Sequence, residues 1–317
     1  MLVKRLRLPG FLLGDAALTA SENLPERAHR RVLVIHNPTA GWRRRRRFER
    51  ILSALIAAGV DVDVRPTTQR GDAEMYAREA DETRLDAIAV AGGDGTINEV
   101  VNGLGDKALP LAVIPLGTAN VLAHEIGLGG SPAEIARTIA TGRPQQISVG
   151  VVNGRRFVMM AGFGFDAHVV AQVKPRVKKF LGKTAYVLST LRTLIAFTFP
   201  RYRVTVDGDT FEVASAVIAN GHFYGGTFVC APDARLQDPS LHVVLFMKPG
   251  VFRTIRYAVW LALGRLTKLP DVKIVPATDI TVERVDHDPV QGDGDILASL
   301  PARITLAPAA LALLMPG

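Results

Sequence analysis

The stretch Leu85 to Leu104, LDAIAVAGGDGTINEVVNGL, limits the possible folds more than any other part of the chain. A short apolar run ends in Gly92-Gly93-Asp94-Gly95-Thr96, and a helical pattern begins at once. An apolar run of this length reads as a strand buried on both faces. The same unit recurs around it. RRVLVIHNP is a strand stopped by Pro38 and Gly41, and RRRRRFERILSALIAAG is a helix with Phe48, Ile51, Leu52, Leu55 and Ile56 at helical spacing and Gly59 as its stop. VDVDVRPTT alternates as a strand, GDAEMYAREA follows as a helix, and LPLAVIPLGTANVLAHEIG supplies a fourth strand, a loop and a fourth helix. Strands alternating with helices predict a parallel sheet covered on both faces.

The pattern changes near Arg143. ISVGVVNGRRFVMMAGFGF reads as two strands around an Asn153-Gly154 turn, and RYRVTVDGDTFEVASAVIAN as two more around Asp207-Gly208. LHVVLFM, VKIVPA, ITVERVD and RITLAP continue the strand-rich pattern, with helical interruptions about Pro175–Phe199 and Gly250–Leu266. A β-sandwich-like second domain is expected from Gln146. Met1 to about Ala28 reads as a loose tail, and Asp15 interrupts its apolar part as a signal peptide.

Four polar, glycine-rich loops follow the first four strands: HNPTAG, TTQRGDA, GGDGTINE and PLGTANVLA. Successive parallel strands end on one side of a sheet, so Asn37, Thr67, Gly93 and Thr118 are expected to converge there. Ligands of open α/β sheets bind at that edge, and helix N-terminal amides favour phosphate. The corner matches neither a P-loop nor a dinucleotide fingerprint. Alone it would also suit a capped, tight turn.

The charge balance narrows the partners. Net charge is +8, which favours an anionic partner: nucleic acid, a phosphate ligand or an anionic membrane face. Arg43 to Arg47 form a basic run, but no nucleic-acid reader or aromatic platform accompanies it, and no nucleic acid is expected to bind. The single cysteine, Cys230, precludes an internal disulfide, and the seven histidines form no zinc spacing. There is no nucleophile elbow. No apolar run reaches the length of about 18 residues that a membrane-spanning helix needs.

Taken together, the loops resemble the diacylglycerol kinase catalytic-domain family, which includes bacterial lipid kinases, sphingosine kinases and ceramide kinases. The resemblance rests on Asn37-Pro38 with Gly41, Thr67, Gly92 to Thr96 with Asn98-Glu99, and Pro115-x-Gly117-Thr118-x-Asn120. AGFGFDAHVV and CAPDARLQDPSLHVV match further family segments. The resemblance implies an ATP-binding α/β domain (29–145), a β-rich lipid-binding domain (146–302), and a tail (303–317) that returns to the first. It implies ATP and Mg²⁺ as cofactors and transfer of a phosphoryl group to a lipid hydroxyl. Nucleotide contacts are implied at Asn37, Thr67, Gly92, Gly93, Asp94, Gly95, Thr96, Glu99, Gly117, Thr118, Asn120 and Asp295. In VQGDGDIL, Asp293 matches the family's proposed general base, and Asp295 replaces the usual glutamate. Alone, Gly-Asp-Gly-Asp would equally suit a solvated hairpin turn. Asp94 is expected to organise hydrated Mg²⁺. Asp238 survives from a structural metal turn, while Gln237 and Pro239 depart from that pattern.

A lipid kinase without a spanning helix must meet its substrate at the interface. Localisation is therefore expected to be cytoplasmic, peripheral to the inner membrane face, with an anionic membrane surface and the lipid as partners. Two segments suit that contact. One carries Lys174, Arg176, Lys178, Lys179 and Lys183; the other, Lys248 to Lys268, carries Tyr257 and Trp260. Both equally suit helices packed on the sandwich. An NAD kinase shares the Gly-Gly-Asp-Gly-Thr corner, as does phosphofructokinase, and a non-catalytic lipid-binding protein of this fold is a different class of alternative. The acceptor lipid is not legible, and neither is the oligomeric state; a homodimer stays open.

Overall fold

The computed structural model describes residues 30–38, 42–172, 190, 193–194, 196–283 and 287–317. The expected N-terminal tail and Lys174, Arg176, Lys178, Lys179 and Lys183 lie outside the described residues.

The first part alternates β1 (Arg31–His36), α1 (Trp42–Ala57), β2 (Asp61–Pro66), α2 (Asp72–Arg78), β3 (Ala87–Gly92), α3 (Asp94–Leu104), β4 (Leu111–Pro115), α4 (Val121–Glu125) and α5 (Pro132–Thr141). β2, β1, β3 and β4 pair in that order, all parallel. The pleat explains why these strands are apolar throughout. Leu33, Ile35, Ile88 and Val90 face one core with α3, while Val32, Val34, Ala87 and Ala89 face another with α1 and α5. Helix α5 is an element beyond those the strand–helix pattern predicts. Its start carries a capping box in which Ser131 and Glu134 satisfy each other's backbone amides.

The chain continues through β5 (Arg143–Val152), β6 (Arg155–Phe157), β7 (Met160–Phe163), α6 (Phe165–Gln172), β8 (Tyr202–Val206), β9 (Asp209–Val213), β10 (Ser215–Ala219), β11 (Phe223–Tyr224), β12 (Phe228–Val229) and β13 (Leu241–Phe246). It ends with α7 (Val251–Ala262), β14 (Val272–Ala277), β15 (Asp279–Glu283), β16 (Pro289–Gly292), β17 (Asp295–Ser299) and β18 (Ala302–Met315). Among the described residues, β14-β13-β10-β7-β16-β17 form a separate six-stranded sheet. It packs on β8, β15 and β18 across a core containing Phe163, Tyr202, Ile218, Val243, Val290 and Ile304. This is the sandwich half of the α/β plus β architecture.

The two halves share backbone. β18 pairs with β15 and β5, and at Leu313 it lies parallel to Leu111 of β4. The division expected between residues 145 and 146 falls inside β5. Two strands are expected from Ile147 to Phe165, and the structure has three. β6 pairs within the larger sheet and β7 within the smaller, so the chain changes sheets at Val158–Met159. The Asp207 turn is likewise followed by two strands, because Ala214 breaks the run between β9 and β10.

Cys230 is buried, 2% exposed, and burial with the charge of Asp166 nearby pushes its thiol up to about 12. Reactivity needs the thiolate, so native protein should resist iodoacetamide at pH 8 while urea-unfolded protein takes up one equivalent. Intact-mass measurement distinguishes the two; rapid native labelling would show that this part of the core opens.

Candidate functional site

The loops after β1, β2, β3 and β4 meet at one sheet edge because their strands end in register. His36 is level with Pro66 and Ala91, and Gly92 with Pro115. The strand order reverses between β1 and β3, the switch point at which such sheets bind ligands. Asn37 spans that gap: its backbone amide donates to Ala91 O at 2.9 Å, and its Nδ2 donates to Thr96 Oγ1 at 3.1 Å. Thr67 is buried, and its amide donates to His36 O at 2.8 Å, tying the second loop to the first.

The glycines at the corner have distinct jobs. A Cβ on Gly92 would lie 2.7 Å from the Thr96 side chain, which folds back over it. A Cβ on Gly93 would meet Gly117 Cα at 3.1 Å, and one on Gly117 would meet Gly93 Cα at 2.5 Å. The third-strand and fourth-strand loops therefore pack backbone against backbone. A Cβ on Gly95 would lie 2.8 Å from Asp295 Oδ2, where the sandwich half reaches the corner.

Asp94 is committed to the loop after β4. Its Oδ1 accepts a 2.7 Å hydrogen bond from the Val121 amide at the start of α4. Burial raises its pKa, and the amides of Val121, Leu122 and Asn120 oppose that rise. Asn120 adopts the left-handed conformation at φ 48°, and its Nδ2 donates to Gly117 O at 3.2 Å. Its Oδ1 is buried with no hydrogen-bond partner among the described residues. Thr118 is exposed, and Arg44 Nη2 donates to its Oγ1 at 3.1 Å. One member of the arginine run thus belongs to the crevice.

Asp293 lies in the β16–β17 hairpin turn with φ 51°, followed by Gly294 at φ 82°. The turn reading of Gly-Asp-Gly-Asp holds for the backbone, but the carboxylate is not simply solvated. Its Oδ1 accepts from the Met159 and Met160 amides at 2.9 and 3.1 Å. Its Oδ2 accepts from the Val158 amide at 2.7 Å and Asn98 Nδ2 at 3.0 Å. Those amides belong to the bend where the chain changes sheets, and Asp293 satisfies them. Burial pushes its pKa up and these donors oppose the rise, while the residue as a whole stays half-buried.

Asp295 is the more open carboxylate beside the corner. Its side chain is 30% exposed, with Arg70 Nη2 at 3.8 Å from Oδ1. Glu99 is half-buried and its pKa is raised, chiefly by burial; the Gly71 and Ala73 amides and Arg70 oppose that rise. Asp238, by contrast, closes its own turn. It accepts from the Arg235 amide at 3.0 Å, and His242 Nε2 is 3.7 Å away. Among the described residues, no cluster of three His, Cys, Asp or Glu side chains is arranged to hold a metal. Of the two expected metal carboxylates, Asp94 accepts from the first amide of α4, and Asp238 closes its own turn.

Several contributors carry no strong signal in the sequence. Asn98 stands out there only as part of a motif, yet it bridges Asp293 Oδ2 and Arg156 O from the buried side of α3. Arg70 faces Asp295 from the second loop. Gln291 accepts from the Gly294 amide at 3.1 Å and donates to half-buried Asp166 at 2.8 Å, locking the hairpin from below. Asp166 and Gln291 are 125 positions apart, and no local spacing signals such a pair.

The diacylglycerol kinase catalytic-domain model matches residues 31–152. The YegS C-terminal NAD kinase beta sandwich-like domain model matches residues 159–315. A diacylglycerol kinase of Bacillus subtilis (strain 168) is 31% identical over 278 residues, covering 86% of this chain and 92% of the relative. One from Staphylococcus carnosus (strain TM300) is 27% identical over 281 residues, covering 86% and 91%. A crystal structure of a diacylglycerol kinase from Bacillus anthracis str. Sterne superposes with a TM-score of 0.71 at 25% identity, covering 92% of this chain and 98% of that one.

Proposed function

Because the chain belongs to the diacylglycerol kinase catalytic-domain family and is a lipid kinase, we propose that it transfers the γ-phosphoryl group of ATP to the free hydroxyl of diacylglycerol. One observation carries this reading. The glycine loops of the parallel sheet, held together at Gly93 and Gly117, face the Asp293–Asp295 hairpin of the sandwich. Amides that can donate to phosphate and carboxylates that can accept a proton thus meet at one place, as phosphoryl transfer requires. The acceptor is named from the relatives, which are called diacylglycerol kinases.

In this reading the phosphates lie along the amides at the start of α3 and the Gly117–Asn120 loop, with Arg44 near the phosphate end. The unpartnered Asn120 Oδ1 is available to a nucleotide donor. Asp293 takes the proton from the attacking hydroxyl; burial raises its pKa, which makes it a stronger base than an exposed carboxylate. To do so it must release one of its four donors. Mg²⁺ would neutralise developing phosphate charge and keep several waters, which demands an open carboxylate rather than a cap. Asp295 fits that role better than Asp94, whose Oδ1 is taken by Val121. The enzyme acts on the cytoplasmic side of a membrane, where ATP and the lipid meet.

The test is transfer from γ-labelled ATP to a panel of diacylglycerol, a sphingoid base and ceramide in mixed micelles, with products identified by mass spectrometry. Label in phosphatidic acid is the expected result. Label confined to another lipid would keep the kinase and overturn the acceptor. Phosphorylation of NAD instead would overturn the reading.

A further inference from the structure

Five of the ten exposed large apolar side chains among the described residues lie between Val251 and Leu263. Phe252, Ile255, Val259 and Leu263 are spaced by three or four, so they form one stripe along α7. Phe252 is 86% exposed and Leu263 62%. The opposite face is occupied: Tyr257 is buried against Phe246, and Trp260 and Leu261 pack on the core. The aromatic pair that the sequence offers as surface anchors therefore points inward, and the tyrosine hydroxyl donates to Asp271 at 2.9 Å. The β11–β12 hairpin packs beside the helix and adds exposed Phe228.

Charge identifies the kind of surface that covers this stripe. From His242 to Pro270 there is no acidic residue, and there are five basic ones: Lys248, Arg253, Arg256, Arg265 and Lys268. Asp271, buried behind the helix, pairs with both Arg253 and Arg256, so one of those two charges remains uncompensated. Lys248, Arg265 and Lys268 are exposed at the two ends. An apolar stripe flanked by cations without an acidic neighbour complements a layer of anionic headgroups over acyl chains.

We infer that α7, with the Phe228 hairpin, is an in-plane docking surface for an anionic lipid bilayer. The assignment rests on the lipid-kinase reading for its purpose, but its test does not depend on catalysis. The helix lies along the headgroup layer, with Phe252, Val259 and Leu263 inserted and Lys248, Arg265 and Lys268 against phosphates. Its buried face packs into the same cluster as Met159 and Met160, whose amides hold Asp293.

Co-sedimentation with phosphatidylcholine vesicles, with and without phosphatidylglycerol, tests this. Wild-type protein should bind the anionic vesicles, bind the neutral ones far less, and release as salt rises, because exposed charges are screened beyond about 8 Å at physiological ionic strength. Phe252→Ser with Leu263→Ser removes only exposed groups, so the protein should stay folded by circular dichroism while binding weakens by at least about tenfold. Lys248→Gln with Arg265→Gln and Lys268→Gln should flatten the salt dependence. Unchanged binding in both variants overturns the assignment. So does a wild-type dimer that the apolar variant converts to monomer with vesicle binding intact, since the stripe would then join two copies. Wild-type protein that binds vesicles but phosphorylates no lipid would leave the docking surface standing and sink the kinase reading.

Discussion

Asp293→Asn is expected to lower turnover by about 10²–10⁴-fold and to destabilise the fold at the same time. A proton acceptor standing free in a cleft would show only the first effect. Asp293 also receives three successive amides and Asn98 Nδ2. An asparagine has one acceptor oxygen and turns an NH₂ group toward donors. Each buried donor left without a partner costs about 1–3 kcal/mol. The melting temperature should therefore fall by several degrees, and the Val158–Met160 amides should lose hydrogen-exchange protection. Asp295→Asn provides the contrast. Its carboxylate is more open, and its ion pair among the described residues is with Arg70 at 3.8 Å, so turnover and its Mg²⁺ dependence should fall while melting is unchanged. Asp295→Glu, which restores the usual family residue, should be active. If folded Asp293→Asn keeps kcat within a factor of about three, a loss too small for a general base, Asp293 is a hairpin lock only and the base lies elsewhere.

Gly93→Val is expected to abolish measurable ATP binding, for a reason that the strand–loop pattern alone does not supply. The added Cβ meets the backbone of Gly117, not merely the space a phosphate would use. Backbone cannot rotate aside as a side chain does, so the two loops must separate and their amides diverge. Gly117→Ala should behave alike, since its Cβ would lie 2.5 Å from Gly93 Cα. Gly130→Ala is the control, because a Cβ there meets nothing within 4 Å. Titration calorimetry with a non-hydrolysable ATP analogue reads all three. Wild-type affinity in Gly93→Val would place the nucleotide away from this edge.

Much of this site is legible in the amino-acid sequence. Apolar runs mark the parallel strands, and glycines at their ends mark the loops. The chain order then places Asn37, Thr67, Gly93 and Thr118 on one edge, because parallel strands joined by helices leave no other choice. The Ser131–Glu134 capping box is also written in the sequence, yet its helix is short and follows Gly127, Gly129 and Gly130, which by themselves signal only a loop.

Other features have no local signature. The apolar patterning of VVNGRRFVMMAGF is the same whether the chain stays in one sheet or crosses to another. Only tertiary packing decides that it crosses at Val158–Met159, and only then do three amides need the Asp293 carboxylate. The role of Asp94 turns on the start of α4, 27 residues away, whose amide it caps. On α7, composition establishes an amphipathic helix, but Tyr257 and Trp260 could face either way. The core holds a place for the tyrosine, beside Phe246 and Asp271, and this leaves Phe252 and Leu263 outside. Local sequence determines periodicity, turns and the convergent loop edge, since these follow from neighbouring residues and chain direction. Which carboxylate is tied down, which stays open and which face of a helix meets solvent depend on contacts between distant segments, and those are settled only when the two sheets pack.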